Sequence, residues 1–138
     1  MLALLLFFLF PPPQPSSLTG DWTTADRSVV RVLPCSSNQL CVRLIMVGVK
    51  DAPPTDMNNP DPALRKRALC GLMIGTAFTP DGSASAKNGK IYDPESGKTY
   101  AAQMQGSGDE LKLRGYVGIV LLGRTETWHR TTNVQVCQ

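Results

Sequence analysis

At 138 residues the chain has room for one domain and one core, so multi-domain readings are excluded. Aromatics are only 7% of the chain, while 12 glycines and 11 prolines make it turn often, which favours an aliphatic core of short strands over long helices. The net charge of +3 is spread among acids, and its one cluster, Arg65-Lys66-Arg67, is too short for a nucleic-acid footprint and reads as a solvated face.

Residues 1–10 form an unbroken apolar run, too short to span a bilayer as a helix, which takes about 20 residues. Its length fits the h-region of a secretory signal, although no Lys or Arg precedes it and no A-x-A site follows. Pro11-Pro12-Pro13 ends any helix there. The reading is a leader over 1–17, either cleaved or disordered, with one domain over 18–138; an ordered apolar segment lying on that domain is the alternative.

Beyond the leader, alternation of apolar and polar residues predicts strand after strand with turn chemistry between them. Asp21 to Thr24 is a short first strand, and Ala25-Asp26 turns it into Ser28 to Leu33. Cys41 to Val49 is the third. Asp51 to Arg67 interrupts the pattern with Pro53, Pro54, Pro60 and Pro62, a proline density that no central strand accepts. It reads as a long loop with one helical turn at Ala63 to Arg67, capped by Asp61 with Pro62 at the first helical position. Loops of this length in compact domains are usually functional or disordered, and this one is the candidate for a lid or for a surface that meets a protein partner.

Leu72 to Thr79 resumes the sheet, and Pro80-Asp81-Gly82 turns it. Gly89 to Tyr92 and Lys98 to Met104 flank Asp93-Pro94-Glu95-Ser96-Gly97, a hairpin signal with proline set for the turn and glycine for positive φ. Glu110 to Tyr116 is the seventh strand, Gly118 to Gly123 an apolar connection, and Arg124 to Arg130 the eighth. Eight antiparallel strands joined mostly by hairpins have two economical solutions, an up-and-down barrel or a two-sheet sandwich. Closure removes exposed edges, and an eight-stranded barrel is either just filled by side chains or holds one small ligand.

The two ends of the folded region favour the barrel. Gly20-Asp21-Trp22 opens it and Arg130 closes its last strand, so that an indole plugs the barrel floor and a guanidinium lies across it. Such a cation–π contact adds about 0.5–2 kcal/mol to the burial of the Trp.

Cys35 and Cys41 flank a polar stretch between two apolar runs, where a disulfide would pin a hairpin turn. Cys70 and Cys137 either form a second bridge that ties the tail to the barrel or stay free, and four cysteines allow three connectivities. Zinc is disfavoured because no C-x-x-C occurs and His129 is the only histidine. The cysteine spacing and the leader together point to an oxidising compartment, periplasmic or secreted.

Five motifs, occurring in order, carry a family resemblance: Gly20-Asp21-Trp22, Asn59-Pro60-Asp61-Pro62-Ala63-Leu64-Arg65, Leu69-Cys70-Gly71-Leu72, the run Gly89 to Tyr100, and the run Leu113 to Trp128. In them the chain resembles the bacterial family called domain of unknown function 2147, over roughly residues 18 to 130. The resemblance implies a small exported protein with a lipocalin-like, calycin-type barrel and a small hydrophobic cargo such as a fatty acid, and it implies no established reaction. The chain departs from the family pattern in its leader, in Val120 where proline is common, and in the tail after Arg130.

Parity on the last strand gives the sharpest site hypothesis. Arg124, Glu126, Trp128 and Arg130 share one face, and Thr125, Thr127 and His129 the other. If Trp128 points inward, so do Glu126 and Arg124, and an inward Arg can hold a carboxylate head group bidentately. Lys112, Arg114 and Tyr116 form a comparable polar face on the neighbouring strand. Arg114, Tyr116, Arg124, Glu126, Trp128, Tyr92, Tyr100 and Arg43 are therefore the candidate ligand residues; the bland reading has Arg124 and Glu126 pair with each other or face water and leaves Arg114 on the outer surface.

Catalysis has little to rest on. No Gly-x-Ser-x-Gly or His-Glu-x-x-His occurs, and a lone His is far more often structural than a general base. Gly97-Lys98-Thr99 imitates the end of a phosphate loop but sits in a hairpin, and the run Asp56 to Asp61 lacks the glycine and terminal Glu of a calcium loop. The expectation is a carrier of a small hydrophobic or amphipathic anionic ligand, with no catalytic residues, cofactor, metal, nucleic acid or stable membrane span. The alternatives are an envelope interaction module with a filled barrel and an enzyme of unrecognised type.

Overall fold

The computed structural model describes Leu9 and residues 16–137, so the leader expectation falls mostly outside the described residues. Eight strands run around a closed antiparallel barrel in chain order: β1 (Gly20–Thr23), β2 (Val29–Pro34), β3 (Leu40–Met46), β4 (Met73–Pro80), β5 (Ser85–Asp93), β6 (Lys98–Ser107), β7 (Glu110–Tyr116) and β8 (Arg124–Arg130). Closure rests on the short β1–β8 ladder, where Trp22 faces Arg130 and Thr23 faces His129. The Thr131 N–H extends it by donating to the Asp21 carbonyl at 3.0 Å. Short 3-10 turns lie at Pro62–Leu64 and Val120–Leu122. The first is capped as its sequence requires, with the Asp61 carboxylate accepting from the Ala63 N–H at 3.0 Å.

Three strands differ from expectation, the simplest being β6, which runs on to Ser107 rather than Met104 and pairs Ser107 with Glu110. β5 begins at Ser85 rather than Gly89, because Asn88 at φ +60° interrupts the alternation that would have revealed its first half. β3 ends at Met46 rather than Val49. Beyond it the Gly48 N–H donates to Ser28 Oγ, and the Gly48 backbone passes so close to the Arg27 carbonyl that a Cβ would meet its oxygen at 2.1 Å.

Residues opposite one another in an antiparallel ladder share a face, so the register fixes what fills the interior. Trp22 faces Val30, Val32 faces Val42, Met104 faces Leu113, and Leu111 faces Trp128. The lower end of the barrel gathers residues 16–19 and the β2–β3, β4–β5 and β6–β7 turns. Here the core is packed solid by Leu18, Trp22, Phe78, Met104 and Leu111, each 2% exposed or less. Phe78 fits because β5 offers a glycine beneath it: a Cβ on Gly89 would stand 2.3 Å from the ring.

The floor is sealed by a charged stack. The Arg130 guanidinium lies 4.2 Å from the centroid of the Trp22 ring and donates to the carbonyls of Thr19 and Ser17 at 3.1 and 2.7 Å, while Trp22 Nε1 donates to the Leu18 carbonyl at 2.9 Å. The indole N–H of this plug thus has a partner, and burial of the indole contributes about 4–6 kcal/mol as an upper bound. Gly20 has to be glycine twice over: its φ is +123°, and a Cβ would meet Arg130 Nη1 at 2.9 Å.

Two disulfides staple the outside. Cys35–Cys41 closes the β2–β3 hairpin and Cys70–Cys137 ties the tail to the long loop, each with Cα atoms 5.8 Å apart. The second pairing, left open by the sequence, coincides with the Cys137 N–H donating to the Ile45 carbonyl at 2.8 Å, which lays the tail along β3.

Candidate functional site

Above the packed floor the barrel is hollow. A cavity of about 1180 Å³ opens at the upper end, among the β1–β2, β3–β4, β5–β6 and β7–β8 loops, somewhat above the range of about 300–1,000 Å³ usual for small-molecule pockets. Its wall is aliphatic, from Val30, Leu44, Ile74, Ile91 and Leu113, with Tyr100 and Trp128 as the aromatic surfaces. Space is left here beside branched aliphatics and Gly115, whereas below Leu18 is brought in from the chain's start to pack with Trp22 and Phe78.

The last strand shows its charged face to this cavity. Trp128 is buried opposite Leu111, Glu126 stands opposite Leu113 and Arg124 opposite Gly115, and all three line the hollow. One Glu126 carboxylate oxygen accepts from Trp128 Nε1 at 2.9 Å and from the Ala25 N–H at 3.1 Å, so this acid orients the indole and ties down the β1–β2 loop. Arg124 enters no ion pair among the described residues, Glu126 included. The guanidinium at the mouth is thereby left with its five donors for an outside acceptor.

Two expected ligand residues stand elsewhere, and a third lies at the mouth with its hydroxyl engaged. Arg43 is exposed, opposite Arg31 on the outer face of β2–β3. Arg114 faces Thr125 outside the barrel, where its guanidinium donates to the Val120 and Leu121 carbonyls and to Thr125 Oγ1 at 2.8, 3.3 and 2.8 Å. Neither lines the cavity. For Arg114 the reason is parity: Leu111 and Leu113 take the inward positions of β7, so Lys112 and Arg114 turn out. Tyr92 borders the mouth, but its hydroxyl donates to Asp56 Oδ1 at 2.6 Å. Tyr100 and Tyr116 do line the cavity, Tyr100 packed against the core and Tyr116 at the rim. His129 is exposed on the outward parity of β8.

Asp56, which the sequence offered only as part of a calcium-like, turn-rich run, has a structural role there. Its carboxylate is fully buried and accepts from Tyr92, from Asn59 Nδ2 at 2.9 Å and from Arg67 Nε at 2.9 Å, with the Arg67 guanidinium also 5.6 Å from the Tyr92 ring centroid. Burial by itself would raise the Asp56 carboxyl, but the three donors and the Arg67 charge outweigh it and hold the group below the usual carboxylate range. Burial, then the hydrogen bond to Asp56, pushes the Tyr92 hydroxyl up to about 12. Asn58 Nδ2 adds bonds to the Pro94 and Glu95 carbonyls at 3.3 and 3.0 Å, and the Gly97 backbone packs against the Asn58 carbonyl so closely that a Cβ would meet it at 2.1 Å. The long loop is therefore pinned to the β5–β6 hairpin, which accounts for the Asn-Pro-Asp and Tyr-Asp-Pro-Glu-Ser-Gly motifs as one structural joint. The sequence cue was slight: a lone carboxylate in a turn-rich run, with its partners 3, 11 and 36 residues away.

No group of three or more His, Cys, Asp or Glu side chains able to hold a metal ion occurs among the described residues, nor is any of their helices long and apolar enough to cross a membrane.

A sealed floor, an apolar hollow and an open mouth are the anatomy of a binding barrel, and the comparisons agree. The family described as "Uncharacterized protein conserved in bacteria (DUF2147)" matches residues 20–130, from the floor glycine to the floor arginine. The chain belongs to this family. The DUF2147 chain is also similar in structure to protein HP1028 from the human pathogen Helicobacter pylori, described as belonging to the lipocalin family, with a TM-score of 0.77 and 25% sequence identity over 86% of this chain and 85% of that one. None of the curated proteins matches it. This DUF2147 member thus has a lipocalin-like fold, which suggests a binding protein of some kind. Its two disulfides and its bacterial family are consistent with an extracytoplasmic protein.

Proposed function

We propose that the protein is an exported, non-enzymatic binding protein for a small hydrophobic or amphipathic anionic ligand of the fatty-acid type. The single observation that carries this reading is the contrast inside one barrel: an apolar-walled hollow whose mouth holds one guanidinium without an acid partner. An acyl chain fits the wall made by Val30, Leu44, Ile74, Ile91 and Leu113, since apolar area removed from water yields about 25 cal/mol per Å². Arg124 is assigned to the carboxylate head, which it can grip through two parallel N–H···O bonds. Tyr100 and Tyr116 are assigned to the wall and rim. Glu126 has one oxygen already occupied by two N–H donors, which supports a positioning role toward Trp128 in preference to a head-group contact.

The interaction-module alternative required a filled barrel, and the hollow upper half weighs against it. Docking of a protein partner on Asp51 to Arg67 is a separate matter. The joint built on Asp56 makes that segment a fixed surface, which disfavours its use as a lid. Export is supported by the apolar leader and the two disulfides.

Native mass spectrometry of protein purified from its host tests the reading. A co-purifying lipid is the expected result, together with a rise in the thermal midpoint on adding fatty acids of graded chain length. Arg124→Leu should weaken binding of the acids by about tenfold, the scale of one charge-assisted contact, and leave the matching alcohols unaffected. An empty protein that gains no stability from any lipid would overturn the carrier reading, and equal losses for acid and alcohol would overturn the role of Arg124.

A further inference from the structure

The β7–β8 loop is the most apolar exposed feature of the described residues. Val117, Ile119, Leu121 and Leu122 are 74, 56, 85 and 77% exposed on one short connection at the rim of the cavity. Single exposed aliphatics need no explanation, but four on one turn form a patch with a purpose.

The tip of this loop is a short 3-10 turn whose carbonyls are held in part from within. The Ile119 carbonyl accepts from the Leu122 N–H at 3.2 Å, the Val120 carbonyl from the Gly123 N–H at 3.1 Å and from Arg114 Nε at 2.8 Å, and the Leu121 carbonyl from Arg114 Nη2 at 3.3 Å. The bonds from Arg114 reduce the cost of taking those carbonyls out of water. Arg114, Arg124 and Tyr116 stand at its foot, the side-chain types that sit at the level of lipid head groups.

We propose that the β7–β8 loop is a membrane-docking element, which enters the outer layer of a lipid bilayer with Val117, Ile119, Leu121 and Leu122 and holds the barrel mouth against the lipid. A bilayer fits better than a protein because a stable protein interface needs about 1,000 Å² or more of complementary surface, and a four-residue tip is far smaller. A bilayer demands no shape match. Among the described residues, the other three loops of the mouth bring Asp26, Asp51, Asp93 and Glu95 to the cavity against the single lining cation Lys50, so the attraction comes from apolar insertion and not from charge. The docking does not rest on the cavity holding a lipid.

The test is partition of the full chain onto phosphatidylcholine vesicles, measured by flotation, for wild type and for the double variant Leu121→Asp, Leu122→Asp, both carrying the same N-terminal segment. Wild type is expected to float with the vesicles, and the double variant to lose at least about tenfold in partition with its circular dichroism and thermal midpoint unchanged, since both leucines are exposed. Raising the salt should change the wild-type partition by less than about twofold. In a second arm, Leu121→Trp should gain a blue-shifted emission that lipids brominated on their acyl chains quench. The cavity-filling variant Leu113→Trp should partition as wild type does, so a failed ligand assay and failed docking are separately visible. Equal partition of wild type and the double variant, no added quenching in the Leu121→Trp variant over wild type, or a lipid-independent dimer abolished by the double variant would each overturn the proposal.

Discussion

The lower and upper halves of this barrel are built from the same eight strands with the same alternation, yet one is solid and the other hollow. The lower half closes because its inward positions carry Trp22, Phe78, Met104 and Leu111, with Leu18 and Arg130 brought in from the chain ends. The upper half stays open although Tyr100 and Trp128 line it, because its other inward positions carry branched aliphatics and Gly115 and because its loops are tied down: the long loop by Asp56, the β1–β2 loop by Glu126. Whether an eight-stranded barrel holds a cavity is thus decided by side-chain size at each level and by what restrains the loops, and not by the strand count.

The largest expected effect falls on the floor. Trp22→Ala should cost about 3–5 kcal/mol in urea unfolding, through the lost burial and the lost Arg130 stack. A cost below about 1 kcal/mol would erase the distinction between a structural and a binding half.

Next is the loop joint. Asp56→Asn removes the charge that Tyr92 and Arg67 address and should cost about 1.5–3 kcal/mol at neutral pH. Because the folded Asp56 carboxyl sits below its ordinary value, its contribution is complete above the usual carboxylate value of about 3.9 and is lost as pH falls through the lower folded one. The gap between wild type and variant should therefore close in acid. Tyr92 acts in the opposite direction: raised to about 12, it contributes fully below the ordinary tyrosine value of about 10 and loses that contribution as pH rises toward 12. Urea midpoints followed against pH for the two proteins check both signs.

Leu113→Trp sharpens the comparison by making the upper half resemble the lower. It should change stability by less than about 1–3 kcal/mol, since the ring enters empty space, and abolish ligand-induced thermal shifts. The smallest stability effect belongs to Arg124→Leu, within about 0.5 kcal/mol for an exposed residue without an ion pair, so any loss of acid binding in that variant is not a folding defect.

The strands were legible because their alternation is strong, and the turn residues marked nearly every boundary. The exceptions have local causes: Asn88 at positive φ hid the first half of β5, and the close approach of Gly48 to Arg27 cut β3 short. Much of the candidate site was less legible. Parity tied Arg124, Glu126 and Trp128 to one face but not to the inside, because threonine on the other face suits either environment. Arg114 departs from expectation since a basic residue between leucine and glycine reads the same whether it meets a ligand or clamps a loop. The Asp56 joint spans three segments, and nothing local to any of them announces the other two.

By itself the sequence determined the number and order of the strands, the floor indole with its glycine and arginine, and the hairpin disulfide, because each is written in periodicity, turn chemistry or a spacing of a few residues. Only the tertiary structure decided which face of β8 looks inward, where the barrel is empty, which arginine is left without an acid, and that Cys70 meets Cys137. Those outcomes depend on which distant side chains arrive at the same place once the sheet closes, and a linear chain carries no local record of that.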